Sequence, residues 1–150
     1  MKVNVSNFRY ISGFELREVS FAAEAGNFVA ICGPNGSGKS TLLKICAGIL
    51  NSYEGSIEIG GADIRKIPAS TRARLVSYVP QSAVIAFPYS VREVVAMGGY
   101  HMNGAPDAAI ELLGLEKFAS RRATELSGGE MQLVQIARAI CQDAKCILLD

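Results

Sequence analysis

The run Gly33-Pro34-Asn35-Gly36-Ser37-Gly38-Lys39-Ser40-Thr41 constrains this chain more than any other, because it sets a glycine-rich turn between two segments of different period. Upstream, Asn27 to Cys32 is continuously apolar at Phe28-Val29-Ala30-Ile31-Cys32, which predicts a strand covered on both faces. Downstream, Leu42, Leu43, Ile45, Cys46, Ile49 and Leu50 recur at helical spacing, which predicts a helix over 39–50 that Gly48 loosens at its end. The run itself fits the pattern GxxxxGK(S/T). Phosphate oxygens need several donors converging on one small volume. A loop without bulky β-carbons can turn its backbone N–H groups inward to supply them, and the following helix adds its positive end. In this chemistry Lys39 reaches the β- and γ-phosphates of a nucleotide, and the Ser40 hydroxyl ligates Mg²⁺.

The surrounding chain predicts an α/β fold. Residues 3–10 and 14–22 alternate apolar and polar side chains about Ile11-Ser12-Gly13, which predicts an antiparallel hairpin, and Gly55 to Ile59 and Leu75 to Val79 predict further strands. Beyond Pro80 the pattern turns helical, at Val91 to Met97, Pro106 to Leu113 and Gly128 to Cys141, and Lys145 to Asp150 predicts a last buried strand. With 150 residues there is room for one domain of ordinary size. Fifteen basic residues against fourteen acidic ones give a formal charge of +1, which supplies no general attraction for nucleic acid or an acidic membrane surface. The N-terminus lacks the apolar stretch of a secretory signal, and no apolar run is long enough to span a bilayer. Cys32, Cys46, Cys141 and Cys146 stand singly among apolar residues, which predicts buried, reduced core positions in a cytosolic protein rather than a zinc or redox site.

A second anion site is predicted at Thr124-Glu125-Leu126-Ser127-Gly128-Gly129-Glu130. Ser127 and Glu130 have the spacing of a capping box. A capping box does not need two glycines in the first turn, where each lowers helix propensity by up to about 1 kcal/mol relative to alanine. What glycines do provide is bare backbone N–H at a positive helix end, which suits a phosphate.

Leu126-Ser127-Gly128-Gly129-Glu130, downstream of the glycine loop, resembles the signature motif of ABC ATPases. The resemblance implies a P-loop NTPase fold of the ABC ATPase type, with an antiparallel β region at the N-terminus and an inserted helical lobe. It implies that Ser127, Gly128 and Gly129 contact the γ-phosphate of ATP held by a second copy, two ATPs being sandwiched in a head-to-tail homodimer. It makes Tyr10 similar to the aromatic that stacks on adenine, Gln81 to the glutamine that ligates Mg²⁺ and senses the γ-phosphate, and Cys146-Ile147-Leu148-Leu149-Asp150 to a Walker B strand whose Asp150 holds the metal through water. In the family a glutamate then polarises the attacking water and a later histidine contacts the γ-phosphate. His101 precedes the signature motif and is a loop residue in this reading. The resemblance therefore implies that the C-terminal part of the fold is missing. The chain would be a fragment of a longer reading frame, nearly inactive as an ATPase, with apolar faces exposed. One incomplete domain, 1–150, is expected, with the N-terminal β region and loop core over 1–80, the helical lobe over 81–126, and the signature helix and last strand over 127–150.

Ala86 to Tyr100 is similar to importers of iron chelates, haem, cobalamin and metal ions, in which this segment receives a coupling helix from the transmembrane permease. Gly99 and Leu133 depart from that group, which often carries arginine at both places. The implied function is a motor subunit, peripheral on the cytoplasmic side of the membrane, with ATP and Mg²⁺ as ligands. A soluble non-transport ABC ATPase and a non-catalytic nucleotide-binding fragment are the alternatives. The stretch between Gln81 and Ser127 is too short for a long coiled coil.

Overall fold

The computed structural model describes residues 1–11, 13–83, 85–100 and 104–150. It divides into two compact units, Met1–Leu75 together with Asp150, and Val76–Leu149.

The first unit is built on β1 (Lys2–Arg9), β2 (Glu15–Ala22), α1 (Lys39–Cys46), β3 (Glu54–Ile59), β4 (Ala62–Asp63) and α2 (Ala69–Ala73). Its sheet has the order β2-β1-β3-β4, with every neighbouring pair antiparallel. The alternation read along β1 has a physical break. Val3 and Val5 are buried and so is Phe8, which a strict period of two would turn outward. A register shift between Val5 and Asn7 in the β1–β3 ladder absorbs the extra residue. Gly55, opposite Val5, permits it: φ is +111°, and a Cβ there would lie 2.1 Å from the Asn4 carbonyl oxygen.

The loop and helix that follow the hairpin depart from the sequence expectation in two places. The strand expected over Asn27 to Cys32 does not form, since no ladder partner pairs with it among the described residues, and Phe28 is left 90% exposed. An apolar run reports a demand for cover but cannot name the neighbour that would supply it. Cys32 lies in this run and is exposed, and Cys146 is half-buried, so only Cys46 and Cys141 are the buried thiols expected; all four are free. Helix α1 ends at Cys46, short of Leu50, because Gly48 N–H donates to Ile45 O at 2.9 Å and Ile49 N–H to Lys44 O at 2.9 Å, the paired bonds of a Schellman stop.

The second unit holds β5 (Val76–Val79), α3 (Val91–Ala96), α4 (Pro106–Leu112), α5 (Gly128–Cys141) and β6 (Cys146–Leu149). Strands β5 and β6 pair in parallel, with Val79 opposite Leu149. The three helices bury Val91, Val94 and Val95 against Ile110, Val134 and Ala137. Each valine removed from water contributes about 1.5–3 kcal/mol. Gln142, just past α5, ties that helix to β5: it accepts from Ser77 Oγ at 3.0 Å and donates to Val76 O at 3.1 Å. The last strand, expected to be buried over Lys145 to Asp150, forms over Cys146–Leu149 and leaves Ile147 and Leu149 exposed, because an apolar run reports a demand for cover without naming the neighbour that supplies it. His101 lies outside the described residues.

Candidate phosphate-binding sites

In the first unit the glycine loop precedes α1 and is exposed from Gly33 to Ser37. Pro34 O accepts from Ser37 N–H at 3.3 Å, which folds Asn35 and Gly36 into the turn between them. Gly38 is the N-cap of α1 with φ +96° and makes no side-chain cap, so the helix begins with bare amides. Its conformation is left-handed, and a Cβ there would lie 2.7 Å from Phe14 Cζ and 3.1 Å from Leu16 Cδ1. Phe14, which the sequence reading passed over, thus sets how closely the loop lies on the hairpin. Its ring is 6.2 Å from that of Tyr10, which in turn meets Phe8 edge-on at 4.8 Å. The half-buried Tyr10 is therefore fixed in the same unit as the loop through Phe14.

Lys39 Nζ donates to Gly33 O at 2.9 Å and to Pro34 O at 2.8 Å, so the ammonium lies back across the start of its own loop. Ser40 Oγ donates to Asp150 Oδ1 at 2.6 Å, a short charge-assisted bond between residues 110 apart in sequence. Thr41 is buried in the first turn of α1. The structure thus brings Lys39, Ser40, Asp150 and the glycine loop into one unit. Ser40 and Asp150 offer hydroxyl and carboxylate oxygens, the hard donors that Mg²⁺ prefers.

In the second unit, Gln81 is exposed two residues past the end of β5. Ser127 caps α5 as predicted. Ser127 N–H donates to Glu130 Oε2 at 2.7 Å, and Glu130 N–H reaches Ser127 Oγ at 3.4 Å. The bonds from the Ser127 side chain and backbone hold the Glu130 carboxyl below the usual glutamate range. Leu126 anchors the preceding turn on the helical core. Gly128 and Gly129 are exposed, have no positive φ, and would each present a Cβ to open space. The fold has no steric need for either glycine. They leave an uncluttered, exposed first turn.

The ABC transporter family model matches residues 16–150. The hemin import ATP-binding protein HmuV of Chelativorans sp. strain BNC1 is 47% identical over 133 residues, covering 85% of this chain and 51% of that protein. The cobalamin import ATP-binding protein BtuD of Halobacterium salinarum strain R1 is 37% identical over 144 residues, covering 90% of this chain and 36% of that protein. A nucleotide-free ATP-binding cassette from an ABC transporter superposes with a TM-score of 0.83 at 27% identity, covering all of this chain and 69% of that one. The chain spans about half the length of the HmuV relatives it matches.

Proposed function

The chain belongs to the ABC transporter family, as part of its ATP-binding domain, and from that premise we propose that it is the nucleotide-binding part of an import motor. ATP lies with its phosphates on the amides of Gly36 to Ser40. Lys39 leaves its own loop carbonyls to meet the β- and γ-phosphates, and Tyr10 stacks on the base, which contributes about 1–3 kcal/mol. Magnesium, when bound, would neutralise phosphate charge, and Ser40 and Asp150 of the first unit are the residues that would hold it. Ser127, Gly128 and Gly129 present their start of α5 to the nucleotide of a second copy in a head-to-tail homodimer.

Permease subunits meet the segment Ala86 to Tyr100, where Phe87, Tyr89, Met97 and Tyr100 are exposed, and the motor works peripherally on the cytoplasmic face of the membrane. Among the described residues no helix is long and apolar enough to cross a membrane. The names of the relatives support haem, cobalamin or a related metal chelate as cargo.

The observation that supports the reading best is the Ser40–Asp150 bond beside the glycine loop, because nothing in local sequence requires those two oxygens to meet. Equilibrium binding of a fluorescent ATP analogue, with and without Mg²⁺, tests it. Lys39→Ala is expected to weaken magnesium-dependent affinity by more than about tenfold, as for loss of a charge-assisted contact. Affinity unchanged in that variant refutes the site.

A further inference from the structure

We infer that Arg121 is a positioning residue for the glycine-bearing start of α5, pinning the turn that delivers Ser127 and Gly128. The inference rests on the reading that those amides meet a phosphate. Ala123–Glu125 forms one turn of 3₁₀ helix and Leu126 ends it, so the direction of this turn decides where α5 begins. Arg121 reaches forward over the turn and donates from Nη2 to Glu125 O at 2.9 Å, two residues before Ser127.

The other end of Arg121 is fixed. Its N–H donates to Phe118 O at 2.8 Å and its carbonyl accepts the Val91 N–H at 2.9 Å, while Arg92 N–H bonds to Ala119 O and Ala123 N–H to Tyr89 O. These bonds stitch 119–123 to the start of α3, whose Val91, Val94 and Val95 are fully buried. The guanidinium therefore hangs from a rigid support and holds a carbonyl on the element that must be aimed. The capping box at Ser127 and Glu130 organises the helix start internally, and Leu126 packs the preceding turn on the helical core; to that non-directional contact the Arg121 guanidinium adds a directional bond to the main chain of the turn.

The bland alternative is a surface ion pair. Arg121 Nε lies 3.8 Å from Glu125 Oε2 with both side chains about half exposed, a geometry that contributes little. The bond to the carbonyl is different in kind, because it constrains main chain and not another mobile side chain. Its loss should leave the fold intact, with Leu126 still packed on the core, and shift the first turn of α5 slightly, and small misplacements of a reacting group cost large factors in rate.

The test uses the full-length dimeric protein and the variants Arg121→Ala, Arg121→Lys and Ser127→Arg. Steady-state turnover, nucleotide affinity and thermal melting are measured for each. Arg121→Ala is expected to lower kcat by about tenfold with KM, affinity and melting temperature unchanged. Arg121→Lys should recover part of that loss, since an ammonium can donate to the same carbonyl. Wild-type kcat in Arg121→Ala, with Ser127→Arg inactive, overturns the role of Arg121 alone. Parallel loss of melting temperature and affinity in Arg121→Ala overturns it in favour of a purely structural part. Wild-type turnover in Ser127→Arg removes the parent reading and this one with it.

Discussion

Replacing Gly128 by alanine should stabilise the protein while crippling it, an opposition that separates a glycine kept for a ligand from one kept for the fold. The structure supplies the magnitude. Gly128 is the first residue of α5, its φ is not positive, and an added Cβ meets nothing within 4 Å. No steric term therefore offsets the helix propensity, where alanine exceeds glycine by about 0.8–1 kcal/mol in a helix interior. At the first position fewer dihedrals are held by intrahelical bonds, so about half of that, roughly 0.5 kcal/mol, is expected. In a protein of 150–250 residues this raises the melting temperature by about 1–2 °C. Urea denaturation with a constant m-value measures the gain. The same methyl group would occupy the approach to the Gly128 and Gly129 amides, so steady-state turnover of the full-length dimer should fall by more than about tenfold, as for loss of a phosphate-stabilising donor. A destabilisation beyond about 1 kcal/mol would show a hidden packing reason for the glycine. Unchanged turnover would refute the claim that bare backbone is presented there for a phosphate.

Gly38→Ala should behave in the opposite way, costing about 2–5 kcal/mol, from about 1–2 for the left-handed backbone and 1–3 for crowding against Phe14. Phe14→Ala should remove only the crowding, so a double-mutant cycle by equilibrium denaturation that proves additive would dismiss the contact. Asp150→Asn keeps an oxygen to accept from Ser40 but removes the charge. It should leave the urea midpoint nearly unchanged and abolish the magnesium dependence of ATP affinity, and a retained dependence would exclude Asp150 from the metal. Glu93 and Glu130 both have carboxyls held below their ordinary value, first by the side-chain hydrogen bond from Ser90 or Ser127 and then by the backbone N–H of the same serine. A lowered folded value means that the capping stability is fully present above the unfolded pKa, about 4.3, and is lost as pH falls through the lower folded value. Carboxylate titration by NMR checks this, and midpoints at or above that value for both residues would contradict the capping geometry.

What local sequence could express was legible. The hairpin about Gly13, the capping box at Ser127 and the full length of α5 follow from alternation, turn chemistry and a 3.6-residue period, and each needs only neighbours along the chain. The bulge at Val5 to Asn7 was not legible, because two residues facing one is a property of the β1–β3 pair and not of β1. Gly55 carried the one available hint, a glycine inside a strand pattern. The 27–32 run failed for the same reason in reverse: five apolar residues in a row announce a buried strand, but pairing depends on a neighbour that the run itself does not specify. Helix α1 was overrun by four residues since apolar spacing continues to Leu50 past the Gly48 stop.

The candidate site divides along the same line. A motif can say that Lys39 and Ser40 stand at the start of a helix, yet it cannot say what holds them before a ligand arrives. In the fold, Lys39 is bound by two loop carbonyls and Ser40 by Asp150. The ammonium meets neutral carbonyl oxygens and the Ser40 hydroxyl meets a carboxylate oxygen; phosphate oxygens would compete for the ammonium, and a cation would compete with the Ser40 proton for Asp150. The neutral carbonyls offer the ammonium no counter-charge and the neutral hydroxyl offers Asp150 none, so phosphate and a divalent cation would each add the charge complement that the present hydrogen bonds lack. Nucleotide affinity then measures a difference between two satisfied arrangements, which is why removing Lys39 should weaken binding without unfolding the loop that carries it.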